Sequence, residues 1–292
     1  MLVQVLLVKV LLVQVLNGLV YGGLLYIVSV GLVLIFGLRR VVNFAHGSLF
    51  MLGAYIGCTV ASLAGFWLGL VAATAVMALV GAALDILVFR PMHGQEPINT
   101  VLVTFGLLMV IEDLAQSIWG KEFRTLPLPD LLAGTVKIAG QDFPLYRLTV
   151  VAVACLVAVG LSLWLRHSRT GLFVRASSED PVTTAVQGVD TDRVSVAVVA
   201  LGAALAGLSG TIAAALLPVS PSMGGYILVE SFIVVVIGGL GSFTGAFIAA
   251  LVIGQIENFG SVYVPWASTM IPFLLMVVVL VLRPQGLAGS RA

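Results

Sequence analysis

The sequence predicts an all-α, polytopic membrane helix bundle of about 8–10 transmembrane helices. Three observations predict it. Of 292 residues, 60% are hydrophobic and 9% charged, with a mean hydropathy of +1.17. The apolar residues run unbroken: 10–38, 194–229 and 231–255 hold no Asp, Glu, Lys, Arg or His, and 41–84 hold only His46. A bilayer core needs about 20 apolar residues in helical form, so each stretch supplies one or two spans. The cations, finally, cluster. Arg39 and Arg40, then Arg90 and His93, then Arg166, His167, Arg169 and Arg175 follow the first, third and fifth spans. Loops separated by two spans share a side, and Lys/Arg-rich loops are cytoplasmic.

The expected spans are Val13–Phe36, Val41–Ala64, Phe66–Phe89, Ile98–Trp119, Leu148–Leu165, Val194–Leu217 and Pro265–Leu282. Between the last two lies Gly224–Asn258, interrupted by Gly238-Gly239-Leu240-Gly241-Ser242. Glycine in a helix interior costs about 1 kcal/mol against Ala, so the stretch divides into Gly224–Ile237, crossing or re-entrant, and Phe243–Phe259. The division puts Arg283 and Arg291 on the cytoplasmic side. Residues 1–16 extend the first span or lie in the interface. No cleavable signal peptide is expected, because Lys9 sits inside the apolar run and no small-residue cleavage site ends it.

The chain reads as a single transmembrane domain, 1–292, with two long loops. Residues 120–147 carry four Lys/Arg and three Asp/Glu with Pro127, Pro129 and Pro144, a folded external loop. Residues 166–193 are cytoplasmic, and 28 residues exceed what a turn requires. Within them Glu179 and Asp180 precede Pro181, a pattern suited to a helix start. Thr183 to Gly188 then reads as a short helix ended by glycine. Such a helix docks on a soluble partner or lies on the lipid surface, where Glu179, Asp180, Asp190 and Asp192 would be repelled by an anionic leaflet.

Asn43 and His46 stand at i and i+3 at the cytoplasmic start of the second span, on one expected helical face. They either fasten that helix or mark a polar point on a transport path. Asp85, Glu112, Asp113 and Glu230 are the other intramembrane charges. Asp85 is placed to pair with Arg90 or to snorkel, and Glu230 lies deepest. Cys58 and Cys155 lie within spans as small packing residues. His93 and His167 lie in separate loops without metal-ligand spacing, so no metal site is expected. No P-loop, nucleophile elbow or carboxylate pair with a base points to an enzyme or cofactor, and nothing points to nucleic acid.

Five ordered motifs span about residues 17–287. They are Gly31-Leu-Val-Leu-Ile-Phe-Gly37-Leu-Arg-Arg-Val-Val-Asn43-Phe-Ala-His46-Gly47-Ser48, continuing to Gly53-Ala-Tyr55; Arg175 to Arg193; Val219-Ser-Pro-Ser-Met-Gly224; Gly238-Gly-Leu-Gly-Ser-Phe-Thr-Gly245-Ala; and Arg283-Pro-Gln-Gly286-Leu. Together they resemble the permease subunits of branched-chain amino acid ABC importers. The resemblance implies a bacterial inner-membrane subunit forming the translocation path. It also implies a second homologous permease, cytoplasmic ABC ATPase subunits that hydrolyse the ATP, and an extracytoplasmic substrate-binding protein. The second motif is similar to the ATPase-coupling loop, with Glu179, Asp180, Thr184, Ala185 and Gly188 as coupling residues. It lacks the acidic–alanine pair of that element, and Ser48 stands where many relatives carry an acidic residue.

Gly47-Ser48…Gly53-Ala-Tyr55-Ile and Gly241-Ser242-Phe-Thr244-Gly245-Ala-Phe247-Ile share a pattern, the second with a spacer two residues shorter. Paired glycine-broken helices often flank a midplane pathway. Asn43, His46, Gly47, Ser48, Gly241, Ser242 and Thr244 are accordingly expected on the path, against the alternative of glycine-rich helix packing. Two other functions remain open at this level: urea or short amides as cargo within the same family, and a self-sufficient secondary transporter coupled through the intramembrane carboxylates.

Overall fold

The computed structural model describes residues 2–288; Arg291 lies outside the described residues. α1 (Leu2–Arg39) is one unbroken helix of 38 residues, within which Lys9–Arg39 is the stretch long and apolar enough to cross a membrane. α2 (His46–Ala64) and α3 (Phe66–Leu84) form a hairpin about Gly65, and α3 continues into a π-helical turn at Asp85–Phe89. α4 (Pro97–Trp119) leads to a two-stranded hairpin, β1 (Thr135–Ile138) and β2 (Gln141–Pro144). Its turn residues Ala139 and Gly140 both adopt positive φ, 51° and 78°, as two-residue hairpin turns require. This hairpin is a small exception to the all-α expectation. α5 (Leu145–His167), α6 (Arg169–Glu179), α7 (Pro181–Val186) and α8 (Thr191–Ala213) follow. α9 (Met223–Gly238), α10 (Phe243–Tyr263) and α11 (Ile271–Leu282) complete the bundle.

Among the described residues, seven helices are long and apolar enough to cross a membrane, and Met223–Gly238 and Ile271–Leu282 are shorter apolar helices. α1, α2 and α8 form the centre, and α3, α4 and α5 turn much of their apolar surface outward. Helices apolar all round suit a surrounding of lipid. The core is continuous: Leu24, Leu25 and Ile27 of α1 pack with Phe50 and Tyr55 of α2 and Val198 of α8.

Contacts between helix ends define two sides. At one, Arg39 meets Asp85 and His93, Arg40 meets the Ser178 carbonyl, and Gly37 adjoins Gly241. At the other, Tyr146 donates to the Ile212 carbonyl, Arg147 to Asn17, and Arg124 bridges Val219. The first side carries the arginine-rich loops, and the second carries the loop of residues 120–147.

The second span differs from expectation. It begins at His46, not Val41, because the chain leaves α1 through a left-handed residue, Arg40 (φ 53°). An Asx turn then follows, in which Asn43 Oδ1 accepts from Ala45 N at 3.0 Å. α2 thus starts inside the bundle, with His46 Nε2 2.9 Å from the Val28 carbonyl of α1. Asn43 precedes the helix, so it does not share a helical face with His46. Cys58 is buried as expected, but Cys155 is exposed on α5.

Candidate functional site

The loop of residues 166–193 is a helical elbow. Ser168 caps α6, its Oγ accepting from Gly171 N at 2.8 Å. Asp180 caps α7: Oδ1 accepts from Val182 N and Thr183 N, both at 3.0 Å, and Oδ2 accepts from the Thr183 hydroxyl. These donors hold the Asp180 carboxyl below its ordinary pKa. Pro181 occupies the first turn, where its missing N–H costs nothing. Thr184 is buried and donates to the Asp180 carbonyl at 2.7 Å, and Gly188 ends the elbow at φ +87°. Val182 and Val186 are 71% and 82% exposed, with Glu179 and Ala185 exposed beside them. α6 had no counterpart in the sequence reading. Its signals are the Ser168 cap and the buried spacing Gly171, Val174, Ser177.

Arginines tie the elbow to the bundle. Arg40 donates to the Ser178 carbonyl at 3.2 Å, and Arg90 pairs with Asp192 at 3.5 Å. Asp85 pairs with Arg39 and accepts from Ser195, rather than pairing with Arg90. His93 touches Arg39, and burial, then the Arg39 charge, push the imidazole below its usual range. Behind α6 lies a cavity of about 310 Å³ lined by Trp164, Phe173, Val189 and Ala197.

The expected path residues form two separate groups. Asn43, His46, Gly47 and Ser48 are buried together at the start of α2, and Ser48 Oγ lies 3.5 Å from the Leu108 carbonyl of α4. The start of α9 meets them there: a methyl group at Gly47 would sit 2.1 Å from the Gly224 carbonyl oxygen. Gly241, Ser242 and Thr244 lie at the other end of α9. They line a cavity of about 740 Å³ shared with Cys155, Arg166 and Arg175. Gly239 and Gly241 break the helix at φ 100° and 84°, and Ser242 Oγ caps α10 by accepting from Gly245 N at 3.1 Å. The C-terminal motif closes on this break. Leu287 N and Ala288 N donate to the Ile237 and Gly238 carbonyls at 2.8 and 3.1 Å, satisfying acceptors left free at the end of α9.

The intramembrane carboxylates sort by partner. Asp85 is paired, and Glu112 Oε1 lies beside Gly225 in the first turn of α9, where an anion complements the helix dipole. Asp113 is exposed on α4. Glu230 is 5% exposed and accepts from Tyr21. Glu257, absent from the intramembrane charges expected above although it falls within Phe243–Phe259, lies within α10.

The seven long apolar helices, with α2 starting inside the bundle and a capped elbow on the arginine-rich side, fit a multi-pass membrane protein. Residues 14–280 match the family model for the branched-chain amino acid transport system permease component, and the chain belongs to this family. It is 27% identical over 280 residues, 90% of each chain, to the high-affinity branched-chain amino acid transport system permease protein LivH of Escherichia coli (strain K12). It is 27% identical to BraD, the corresponding permease protein of Pseudomonas aeruginosa, over 90% of this chain and 91% of that one. The fructose import permease protein FrcC of Rhizobium meliloti is 28% identical over 52% of this chain and 45% of its own. No solved structure matches the chain.

Proposed function

We propose that the chain is the transmembrane permease subunit of an ATP-driven ABC importer for branched-chain or other hydrophobic amino acids. The observation that carries this is α7, a capped apolar helix presented to the cytoplasm at the junction of α5 and α8. Val182, Ala185 and Val186 are exposed together on this short helix, an apolar face that a partner surface can cover. A soluble ATPase covering Val182, Ala185 and Val186 gains that apolar area, and the elbow passes its movement to Ser195 and Asp192 on α8. Glu179, Asp180, Thr184 and Gly188 shape the docking helix rather than contact nucleotide.

A second homologous permease and an extracytoplasmic binding protein complete the assembly. The path runs beside α9, between the α2 start (Asn43, His46, Gly47, Ser48) and the α10 start (Gly241, Ser242, Thr244). In the reading of a self-sufficient secondary transporter, the carboxylates carry the coupling. Against it, Asp85 already holds a structural partner and Glu112 sits against the first turn of α9. Reconstitution tests the proposal: leucine uptake should require the ATPase partners and ATP. Gradient-driven uptake by the chain alone would overturn it, and uptake of urea or amides in place of leucine would reassign the cargo.

A further inference from the structure

The cavity of about 740 Å³ at the start of α10 is cationic at one end and apolar along its length. Arg166, in the last turn of α5, and Arg175, on α6, line the cationic end. Cys155 lines the cavity eleven residues before Arg166, so it runs about 16 Å along α5. Tyr26, Leu161 and Phe247 wall it from α1, α5 and α10, and no Asp or Glu lines it. Among the described residues the ion pairs are Arg39–Asp85, Arg90–Asp192 and Arg193–Asp190, so neither guanidinium holds a carboxylate partner there. One flank is continuous with the outward face of α5: Leu156, Val159 and Leu163 are 71%, 58% and 53% exposed, and the last two also line the cavity. No residue of α2, α8 or α9 lines it, so it flanks the start of α10 on the α5 side.

Such a groove matches an amphipathic anion with a long apolar tail. Guanidinium groups grip phosphate bidentately, and basic pockets between membrane helices hold anionic head groups. A small water-soluble anion would satisfy the arginines but leave the apolar walls uncovered. We propose that the cavity binds one anionic phospholipid, with its phosphate on Arg166 and Arg175 and one acyl chain beside Cys155, Leu161 and Phe247. The exposed flank along Val159 and Leu163 is where that chain enters from the bilayer. The hydroxyls of Ser242 and Thr244 line the same cavity as further donors to the head group. Arg175 belongs to the elbow and Arg166 to α5, so the lipid joins the elbow to the bundle and makes its position depend on the charge of the leaflet. The site is independent of the cargo.

Photocrosslinking tests it in membranes holding the full chain with its transport partners. The probes are phosphatidylglycerol and phosphatidylcholine, each with a diazirine on one acyl chain. The phosphatidylglycerol probe should label the α10 peptide holding Phe247 about tenfold more than the phosphatidylcholine probe does. Arg166→Gln combined with Arg175→Gln should remove that excess, a fall of about tenfold on losing two cationic contacts at the membrane surface. Arg169→Gln is the control: Arg169 is an exposed arginine of the same elbow that does not line the cavity, and its loss should leave the excess in place. Should the double variant fail to insert, Arg175→Gln decides, because that side chain is exposed on a surface helix. Equal labelling by the two probes, an equal fall in Arg169→Gln, or undiminished labelling in the variant that inserts overturns the proposal. Displacement of the lipid probe by inorganic phosphate also overturns it, since the cavity then takes a free anion. Labelling of the chain alone that vanishes on assembly with its partners overturns it too, since a partner subunit then fills the cavity.

Discussion

Arg39 Nη2 lies 2.6 Å from Asp85 Oδ1, with the two side chains 9% and 0% exposed. The same Oδ1 accepts from Ser195 Oγ at 2.8 Å. One buried carboxylate therefore joins the end of α1, the π-helical turn after α3 and the first turns of α8. The π turn adds a residue to the helix and so re-aims the side chains around it, a recurrent device at functional positions. α8 leaves the elbow directly, so this joint lies where the elbow adjoins the bundle.

Removing one partner of that pair should be severe. Asp85→Ala leaves Arg39 buried and uncompensated, a loss of about 3–5 kcal/mol in comparable cases. Arg39→Met combined with Asp85→Leu should recover most of it, because an apolar replacement of both charges leaves no desolvated ion. Thermal unfolding in detergent measures both. A single variant melting with the wild type would show that the pair contributes nothing.

Most of the fold was legible because lipid imposes long apolar helices. Most of the spans and the break at Gly238–Ser242 follow from hydropathy and glycine. The interior start of α2 was not legible. Val41 and Val42 are as apolar as the helix they precede, and the decisive events are a left-handed Arg40 and an Asx turn at Asn43. α6 was hidden because its mean polarity resembles a loop. The partners of Asp85 and Glu230 are 46 and 209 residues distant, and no local pattern carries such a contact. The α2 and α10 starts share a Gly-Ser, then Gly-Ala-aromatic-Ile pattern, yet the structure sets them at opposite ends of α9.

The elbow should fail when its apolar face is charged. Ala185→Glu is expected to leave the chain inserted but to abolish ATPase-dependent uptake. Gly188→Trp should do the same, by bulk and because Trp resists φ +87°. Gly188→Asn is the control, since Asn tolerates that conformation, and it should retain most transport. Normal uptake by an assembled Ala185→Glu complex would remove the elbow from the coupling path.

Asp180 gives a pH and a capping test together. Its folded pKa lies below the ordinary 3.8, so its contribution is complete above that value and is lost only as pH falls through the lower folded pKa. Hydrogen exchange at the Val182 and Thr183 amides should therefore show no protection change from acidification between about pH 7 and pH 5. Asp180→Ala should lose that protection, whereas Asp180→Asn should keep much of it as a neutral cap. Equal exchange in Asp180→Ala and wild type would mean α7 does not depend on its cap.

Gly47 is predicted to tolerate no side chain. A methyl group there lies 2.1 Å from the Gly224 carbonyl oxygen and 2.7 Å from Leu228 Cβ, so α2 and α9 must separate. Gly47→Ala should destabilise by at least the 1–3 kcal/mol typical of overpacking. Gly224→Ala, whose methyl meets the Gly47 carbonyl oxygen at 3.0 Å, should cost less. The order of melting temperatures checks this, and the reverse order would show that the seam relaxes on the α2 side.

Cysteine accessibility discriminates the two path segments. In a background lacking Cys58 and Cys155, Thr244→Cys opens on the 740 Å³ cavity and should react with a water-soluble maleimide from the cytoplasmic side. Ser178→Cys, half-exposed on the elbow, should react from that side only. Ser48→Cys is fully buried against α4 and should resist in the resting protein. If the start of α2 joins the path during transport, Ser48→Cys becomes reactive only when ATP and substrate drive the cycle. Protection of Ser48→Cys throughout turnover would reduce that segment to helix packing and leave the α10 start alone on the route. Reaction of Ser178→Cys from outside intact cells would invert the sidedness on which every step here depends.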